Sequence, residues 1–240
     1  TIPEVFRAVE TGLVDFGLVP VENSTEGAVN LTLDCFAQTL LSICGETTLR
    51  IHQNLISSAV DEKSVTKVFA HPQSLAQCRG WLDKHLPHAE QVACHSNVDA
   101  LMQSQQSPEN SAALASEEAA QFYNIPILAK YIEDDTSNTT RFLVIGNKKI
   151  APSGDDKTTF MVSANDRPGL LNQLIEPLSA HNVTMSRIES RPAKHTMWGY
   201  CFYIDIMGHQ DDVKVQKALN EIHNRASLLK ILGSYPQARY

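Results

Sequence analysis

The side chains that could do chemistry are concentrated in a few short polar stretches, each next to an apolar run. The first stretch, Val-Glu-Asn-Ser-Thr-Glu-Gly at residues 21–27, directly follows a run typical of a buried strand. In open α/β sheets, ligands bind at the carboxyl ends of strands, where helix N-termini attract anions. Asn23, Ser24 and Thr25 are therefore candidates to hold a ligand. The alternative is a helix cap, because Asn23 and Glu26 have the spacing of a capping box.

The second stretch is Asn-Thr-Thr-Arg-Phe, which opens the apolar run of another predicted strand and places Arg141 beside it. An arginine next to an apolar strand is costly to bury unless it is paired, and its planar guanidinium matches a carboxylate. Arg141 is therefore either a ligand for a substrate carboxylate or the ion-pair partner of an acidic side chain. Glu22 and the acidic run 133–135 are the candidate partners, and the pattern does not decide between these two roles.

Three further stretches join a predicted strand to the element after it. In Ala-His-Pro-Gln-Ser at 70–74, His71 could titrate near neutral pH, although a loop histidine and a serine cap explain the pattern equally well. In Asn-Asp-Arg-Pro-Gly at 165–169, Gly169 permits close backbone approach by a ligand, and the following helix N-terminus favours a carboxylate. The third stretch, Glu-Ser-Arg-Pro at 189–192, ends another predicted strand. Ordinary turn chemistry is the alternative for the last two stretches.

The composition excludes several classes of protein. The chain has 240 residues, of which 42% are hydrophobic, and a net charge of −7. A nucleic-acid-binding protein would need a basic stripe, which this balance argues against. Five scattered cysteines without a C-x-x-C pair indicate reduced thiols and a cytoplasmic protein rather than a disulfide framework or zinc site. No apolar run reaches the length of a membrane span, and no Gly-rich phosphate-binding motif, nucleophile elbow or metal-ligand spacing is present.

The order of predicted elements gives two domains. Residues 1–148 alternate short strands with helices, which is typical of an α/β domain with a mostly parallel sheet; within it we predict one extended strand over 46–58 and a helix beginning at Ser74. The polar segment 147–157 is the best candidate linker. Residues 157–236 then follow the order βαββαβ, which is the ferredoxin-like arrangement.

Taken together, these stretches resemble those of the prephenate dehydratase family. The resemblance is carried by VPVENSTEGAV at 19–29, AHPQSLAQC at 70–78, SNTTRFLVIG at 137–146, NDRPGLL at 165–171, RIESRP at 187–192 and LGSYP at 232–236. Their order and spacing match the family along the whole chain. The resemblance implies a catalytic domain similar to type II periplasmic binding proteins, with two α/β lobes around a cleft, followed by an ACT regulatory domain.

The resemblance also implies an activity and its residues. The family converts prephenate to phenylpyruvate, carbon dioxide and water, without cofactor or metal, in L-phenylalanine biosynthesis. Its essential threonine stands directly before Arg-Phe and so falls on Thr140, with Arg141 and Phe142 completing the catalytic set. In this interpretation Arg141 holds a substrate carboxylate. The implied substrate-binding residues are Asn23, Ser24, Thr25, Gln73 and Ser74.

In the ACT domain, the two turn motifs are similar to those that bind phenylalanine at a dimer interface in this family. The implied effector residues are Asn165, Arg167, Pro168, Gly169, Leu170, Leu171, Glu189, Ser190, Arg191 and Pro192. The family often has alanine where Leu170 stands, so the larger side chain would narrow the effector pocket. The resemblance further implies a homodimer or homotetramer that binds no nucleic acid and no membrane.

One geometric conflict follows from these assignments. Adjacent residues of a strand point to opposite faces, so Thr140 and Arg141 cannot both line one pocket from within a regular strand. We therefore expect both to lie at the irregular start of the strand, with regular pairing from Phe142 onward. A Thr140 hydroxyl buried in the core would contradict the catalytic assignment.

Two features limit what the resemblance implies for this chain. The chain opens at a helix start without methionine, and the family has a strand and a Gly-rich segment before the equivalent of Thr1, so we expect the natural chain to begin earlier, with an upstream chorismate mutase domain as one possibility. The alternative functions are a non-catalytic amino-acid sensor and an arogenate dehydratase, since arogenate differs from prephenate only in its side-chain amino group.

Overall fold

The computed structural model describes residues 1–164, 167–192 and 200–238, which form two compact units. The first unit comprises Thr1–Leu49 and Thr140–Tyr240, and the second comprises Arg50–Thr139. Along the chain, the helices and strands are α1 (Ile2–Glu10), β1 (Phe16–Asn23), β2 (Gly27–Ala28), α2 (Asn30–Gln38), β3 (Ser42–Arg50), β4 (Asn54–Ile56), β5 (Lys67–Ala70), α3 (Pro72–Gln77), α4 (Arg79–His85), β6 (Glu90–Ala93), α5 (Asn97–Ser104), β7 (Ser111–Ala115), α6 (Glu117–Tyr123), β8 (Ile127–Ala129), β9 (Thr139–Gly146), β10 (Asp156–Ala164), α7 (Leu170–Ala180), β11 (Met185–Pro192), β12 (Tyr200–Met207), α8 (Val213–Arg225) and β13 (Leu228–Pro236).

The first unit contains a four-stranded sheet with the order β2-β1-β9-β3. β1 pairs in antiparallel fashion with both β2 and β9. Alternate residues of β1 are buried, which matches a strand that packs one face on a core. The expectation of a mostly parallel sheet is therefore wrong for this part of the chain. Because β9 comes from more than a hundred residues later, its direction could not be inferred from the order of neighbouring elements.

The polar stretch 21–27 forms a tight hairpin and not a helix cap. Glu22 lies opposite Ala28 and Asn23 lies opposite Gly27, so the three residues between them make the turn from β1 to β2. Gly27 has a φ of 81°, in the left-handed region that glycine adopts without strain. The next helix, α2, begins only at Asn30, and its N-cap position is Val29. The capping-box interpretation of Asn23 is therefore wrong.

The second sheet of this unit has the order β11-β12-β10-β13, with α7 and α8 joining its strands in the predicted βαββαβ order. Strand alternation gives it two apolar faces. On one face, Phe160, Val162 and Ile204 pack with residues of α7 and α8, such as Leu174 and Ile222, in a closed core. The ferredoxin-like prediction for this region is confirmed, since its strands and helices follow the predicted order.

The opposite face of this second sheet packs on the first sheet. Met161, Tyr203 and Leu232 belong to the same core cluster as Val19 and Leu143 of the first sheet. The two sheets of the unit thus share one hydrophobic core, although the segment between β9 and β10 has no regular structure and was predicted as a linker.

The two sheets come close together at a glycine of β13. A Cβ atom added to Gly233 would lie 2.3 Å from the backbone oxygen of Ile43 on β3. No side chain fits at that separation, so glycine is required here for close packing and not for a turn.

The second unit has a five-stranded sheet of mixed direction with the order β6-β5-β7-β4-β8. β5 is parallel to β6 and β7, whereas β4 is antiparallel to β7 and β8. The extended strand predicted over 46–58 is two strands, β3 and β4, because the chain leaves the first unit between them. The helix predicted to begin at Ser74 begins at Pro72, with His71 as its N-cap.

Candidate active site and its contacts with the second sheet

A hydrogen bond joins the two predicted site stretches of the first unit. Asn23 Nδ2 donates to Thr140 Oγ1 over 2.9 Å, although the two residues are 117 positions apart in the chain. They are directly opposite each other in the β1–β9 ladder. The side chain of Asn23 is buried and that of Thr140 is half-buried, so this hydroxyl does not lie in the core. A Thr140 hydroxyl buried in the core would have contradicted the catalytic assignment, and the structure does not place it there.

The hairpin turn fixes which end of the Asn23 amide faces Thr140. Asn23 Oδ1 accepts hydrogen bonds from the backbone N–H groups of Thr25 (3.0 Å) and Glu26 (3.2 Å). Because an amide oxygen cannot donate, these two bonds place the NH₂ group toward Thr140. Ser24 and Thr25 themselves are exposed at the tip of the turn.

Thr140 and Arg141 both lie within the paired strand, which differs from the expected irregular start. Arg141 is opposite Glu22, one step along the ladder from the Asn23–Thr140 pair. The irregularity lies on the partner strand, where the register shifts between Pro20 and Glu22. The two residues therefore point to opposite faces of β9, which resolves the predicted conflict by separating their roles.

Arg141 uses all of its guanidinium nitrogens on protein groups. Its Nε donates to Glu46 Oε2 over 2.8 Å, its Nη1 donates to Asp205 Oδ2, and its Nη2 donates to Tyr235 Oη over 3.0 Å. Thr159 closes a ring by donating to Asp205 Oδ1 over 2.7 Å and hydrogen bonding to Tyr235 Oη over 2.6 Å. Asp205, Tyr235 and Thr159 belong to the second sheet, so Arg141 links β9 to that sheet.

This arrangement favours the ion-pair alternative for Arg141 over the predicted role of substrate anchor. Glu22, one of the predicted partners, is 3.8 Å from Arg141 Nη1, but the nearer carboxylates are Glu46 and Asp205. Sequence reasoning named Glu22 and the acidic run 133–135 but missed Asp205, Tyr235 and Glu46, which are 64, 94 and 95 positions away from Arg141. An acidic residue inside the apolar run of β12 was the one available signal, since a buried carboxylate requires a partner.

The charges in this contact compensate each other. Burial alone would lower the pKa of Arg141, but Asp205, Tyr235 and Glu46 raise it above its usual value, so the guanidinium stays charged. Burial, and after it the charge of Asp205, raises the pKa of the Tyr235 hydroxyl, which stays neutral. Lys157 supplies a second cation, with Nζ 2.8 Å from Glu46 Oε1. Two basic side chains, Arg141 and Lys157, thus face two acidic side chains, Asp205 and Glu46, in this contact.

In the second unit, the predicted residues lie at the carboxyl end of a parallel strand. Ser74 is buried and donates from Oγ to Asn97 Oδ1 over 3.2 Å, while Asn97 Nδ2 donates back to Ser74 Oγ over 3.0 Å. His71 Nδ1 accepts from the backbone N–H of Gln73, whose side chain is half-buried. Asn97 was not predicted, although it follows β6 and opens α5 in the way that the other site stretches follow strands.

The predicted effector residues divide between two places in the second sheet and its helices. Arg167, Pro168 and Gly169 precede α7 and are exposed, and Gly169 has a φ of 77° at the N-cap. Leu170 is buried in the core under α7, whereas Leu171 is exposed. Leu170 therefore does not point outward to narrow a pocket from this position. Asn165 lies outside the described residues.

The remaining effector residues lie on β11, where alternate residues are half-buried and exposed. Ser190 and Pro192 are exposed, and Glu189 is half-buried with its carboxylate 3.9 Å from Arg187 Nη2. Arg191 Nη2 donates to Asp34 Oδ1 on α2 over 3.1 Å. Arg187 Nε lies 3.1 Å from Glu22 Oε2. Arg187 was part of a quoted motif but was not predicted to have a role.

Two features of the described residues bear on broader classes of site. Within residues 1–164, 167–192 and 200–238, no group of three or more histidine, cysteine, aspartate or glutamate side chains is arranged to hold a metal ion. In the same part of the chain, the structure has no helix that combines the length and the apolar character needed to span a bilayer.

Known proteins similar to this chain match both of its parts. The prephenate dehydratase family model matches residues 1–150, and the ACT domain model matches residues 158–224. A bifunctional chorismate mutase/prephenate dehydratase of Stutzerimonas stutzeri is 49% identical over 238 residues, covering 99% of this chain and 65% of that protein. The chain thus spans slightly less than two thirds of the length of that curated relative.

Two solved structures are similar over nearly the whole chain. A prephenate dehydratase from Arthrobacter aurescens, in complex with L-Phe, has a TM-score of 0.87 and 33% identity, covering 96% of this chain and 78% of that one. A structure described as GqqA, a novel type of quorum quenching acylase, has a TM-score of 0.89 and 26% identity, covering 99% and 87% of the two chains. With the match to residues 1–150 and the arrangement of the Asn23–Thr140 pair, these findings identify the chain as a member of the prephenate dehydratase family that carries an ACT domain.

Proposed function

We propose that this chain catalyses the decarboxylative dehydration of prephenate to phenylpyruvate, as a cofactor-independent carbon–oxygen lyase of L-phenylalanine biosynthesis. Besides membership of the family, the observation that carries the proposal is the hydrogen bond from Asn23 Nδ2 to Thr140 Oγ1. Because the Thr140 oxygen accepts this bond, the hydroxyl proton is left to be donated to another acceptor. Thr140 is thus a hydroxyl donor in a fixed orientation.

The reaction breaks two bonds of the prephenate ring. The bond to the ring carboxylate breaks, carbon dioxide leaves, and the electron pair enters the ring; at the opposite carbon, hydroxide leaves with the electrons of its C–O bond. One added proton converts the hydroxide to water, so prephenate and a proton give phenylpyruvate, carbon dioxide and water. Aromatisation supplies the driving force, and a donor at the departing oxygen lowers the barrier.

In this proposal, Thr140 donates its hydrogen bond to the departing hydroxyl group. An alcohol is a weak acid, but the Asn23 N–H group at its oxygen stabilises negative charge that develops there, which makes it a stronger donor. Phe142 lies two residues further along β9, and therefore on the same face as Thr140, where its ring adds an apolar wall. An apolar surrounding favours conversion of a carboxylate into neutral carbon dioxide.

The other predicted substrate residues keep a role in the proposal. Ser24 and Thr25 are exposed hydroxyl groups at the turn next to Asn23, which suits them to contact a polar ligand. For Gln73 and Ser74 we keep the role of substrate contacts, with Ser74 acting through the amide of Asn97, to which it is hydrogen bonded. Arg141 is left out of the set of substrate ligands because its nitrogens are already engaged.

We further propose that L-phenylalanine binds the ACT domain and changes the rate of turnover. The complex of the Arthrobacter protein with L-Phe supports this part of the proposal. The effector residues would be Asn165, Arg167, Pro168, Gly169, Leu170 and Leu171, together with Glu189, Ser190, Arg191 and Pro192. The ligand must bind two states of the protein with different affinity to act as a regulator. We propose a cytoplasmic homodimer or homotetramer as the assembly.

The experiment that tests the function is formation of phenylpyruvate from prephenate by this chain, with and without L-phenylalanine. We expect turnover that L-phenylalanine alters. Arogenate is tested in parallel, and faster conversion of arogenate would assign the chain to that substrate instead. An amino-acid sensor would bind L-phenylalanine without turning over either compound.

A further inference from the structure

β11, the strand with the predicted effector residues, is held to the first sheet by two arginines. Because residues of a strand alternate between faces, Arg187, Glu189 and Arg191 share one face of β11. Arg187 lies against Glu22 of β1, and Arg191 lies against Asp34 of α2. The effector strand therefore contacts both the strand that enters the hairpin turn and the helix that follows it.

Glu22 occupies the position of the ladder that directly precedes the candidate site. The pair Glu22–Arg141 is followed in the same ladder by the pair Asn23–Thr140. Glu22 is half-buried and contacts Arg187 at 3.1 Å and Arg141 at 3.8 Å. Since neighbouring residues share a peptide bond, a shift of Glu22 or Arg141 on one face moves Asn23 or Thr140 on the other face.

The ring around Arg141 reaches the same strand from the other side. Asp205, which accepts from Arg141, lies on β12 directly opposite Arg187 of β11 and opposite Thr159 of β10. Arg141 and Arg187 are therefore connected twice, once through Glu22 and once across the β11–β12 pair. The Asp205 side chain is almost fully buried, so a substrate carboxylate that reached Arg141 would have to displace a carboxylate without access to water.

We propose that Arg141 and Arg187 are positioning residues. Through them, the second sheet, which belongs to the ACT domain, sets the geometry of the Asn23–Thr140 pair. Through the same two arginines, L-phenylalanine bound at β11 alters turnover. This inference rests on the proposed function. In this inference, Arg141 positions the Asn23–Thr140 pair instead of binding a substrate carboxylate. The Glu22–Arg187 ion pair connects the effector strand to that pair, a role that no motif indicates.

The first test separates positioning from substrate binding by kinetics of the 240-residue chain. Tyr235→Phe and Thr159→Val remove hydroxyl groups of the ring and leave its charges balanced, so both variants should fold. We expect kcat to fall on the order of tenfold with KM within about twofold of the wild-type value, because a misplaced donor slows the chemical step. Arg141→Lys should show the same pattern, since lysine keeps the charge but not the planar fork.

A substrate anchor predicts the opposite pattern. If Arg141 binds prephenate, Arg141→Lys should raise KM by about tenfold or more, while Tyr235→Phe leaves both constants unchanged. That result would overturn the proposal.

The second test follows the effector signal through Glu22 and Arg187. We expect Glu22→Gln and Arg187→Met to bind L-phenylalanine by calorimetry but to lose most of its effect on turnover. The double variant should be no worse than either single variant, because both break the same connection. Arg225→Met is the matched control: it breaks an arginine–glutamate pair with Glu176 on the helices of the second sheet, away from β9 and β11, and should keep the response.

Hydrogen exchange gives a readout that does not require turnover. In the wild-type chain, L-phenylalanine should change amide exchange in residues 19–28, and Arg187→Met should abolish that change. No change in the wild-type chain, with L-phenylalanine bound, would overturn the inference. A chain that neither turns over prephenate nor binds L-phenylalanine would defeat the proposed function and this inference together, whereas an active, regulated wild type with unaffected variants would defeat the inference alone.

Discussion

The two faces of β9 hold neighbouring residues in opposite states. On one face, Thr140 is half-buried and joined to Asn23 by one hydrogen bond between neutral groups. On the other face, Arg141 is enclosed by Glu46, Asp205 and Tyr235, and all its nitrogens are used. The first face retains a proton to donate, whereas every guanidinium nitrogen on the second face already donates to a protein group.

This difference shows how one strand can serve both reaction and regulation. A group that contacts a substrate needs a hydrogen-bond donor or acceptor that is still available, whereas a group that fixes a structure needs its donors and acceptors bonded to other protein groups. Alternation along the strand supplies both from adjacent positions, at a separation of one residue. The following predictions break or sharpen this contrast, in order of decreasing effect.

Removing the Thr140 hydroxyl should have the largest effect on kcat. Thr140→Val keeps the β-branched shape that suits a strand, so we expect normal folding and a fall in kcat of about 10² to 10⁴ with little change in KM. Thr140→Ser, which keeps the hydroxyl, should retain much more activity. Steady-state kinetics with prephenate decide the matter, and a rise in KM at constant kcat would show that Thr140 only binds substrate.

Reversing the direction of the Asn23–Thr140 hydrogen bond should have the next largest effect on kcat. In Asn23→Asp, one carboxylate oxygen still accepts from Thr25 and Glu26, but the other accepts the Thr140 proton instead of donating to its oxygen. We expect kcat to fall by about 10², with the thermal stability close to that of the wild type. Unchanged kcat in this variant would mean that the direction of the Asn23–Thr140 bond is irrelevant to the reaction.

A substitution that forces apart the two sheets of the first unit should mainly lower the stability of the protein. In Gly233→Ala, the new methyl group meets the backbone of Ile43, which cannot rotate away as a side chain would. We expect a loss of about 1–3 kcal/mol in the free energy of unfolding, measured with urea. Gly45→Ala on β3 is the control, because its Cβ would meet only the Val144 side chain at 3.8 Å. Equal losses in both variants would argue against a close approach at Gly233.

The smallest effect concerns Asp156, a carboxylate that is stabilised mainly by hydrogen bonds from a serine side chain and from backbone N–H groups. Burial raises the pKa of Asp156, but hydrogen bonds from Ser153 and Gly154 outweigh it and hold the pKa below its usual value. A lowered folded-state pKa gives stability that is complete above the unfolded-state pKa of about 3.9 and is lost as the pH falls through the folded-state pKa.

Asp156→Asn should therefore be less stable than the wild type at pH 7, and its stability should fall less between pH 4 and lower values. Urea unfolding at several pH values measures this difference. Asp155→Asn, at the exposed neighbouring position, should follow the wild-type pH dependence. Identical pH profiles for all three proteins would show that Asp156 contributes nothing through its charge.

Much of the fold was predictable because it depends on local periodicity. The βαββαβ order of the second sheet was found from alternating apolar residues and turn signals, which act over a few residues. For residues 21–27 the sequence left a ligand site and a helix cap as alternatives and did not predict the hairpin, because an asparagine that accepts from backbone N–H groups looks the same in sequence in a cap and in a turn. The long strand predicted over 46–58 failed because periodicity does not reveal where a chain passes from one unit to another.

The candidate site was predictable in part, for a different reason. Asn23 was selected from its position after a predicted strand and Thr140 through the family resemblance, but their contact was not predicted, since residues 117 positions apart have no local signal of contact. The predicted role of Arg141 depended on its surroundings. The spacing left a substrate carboxylate and an acidic side chain equally possible, and the two nearest carboxylates, Glu46 and Asp205, were not among the candidates.

The sequence by itself determined the residue types, the strand that carries Thr140 and Arg141, and the order of elements in the ACT region. Only the tertiary structure decided which face of β9 meets the second sheet, and therefore which residue keeps a free hydrogen-bonding capacity. The physical reason is that a side chain's partners are set by packing between sheets, which brings Asp205, Tyr235 and Glu46 to Arg141 from distant parts of the chain. Local sequence fixes a strand's alternation, but it does not name the surface that each face will meet.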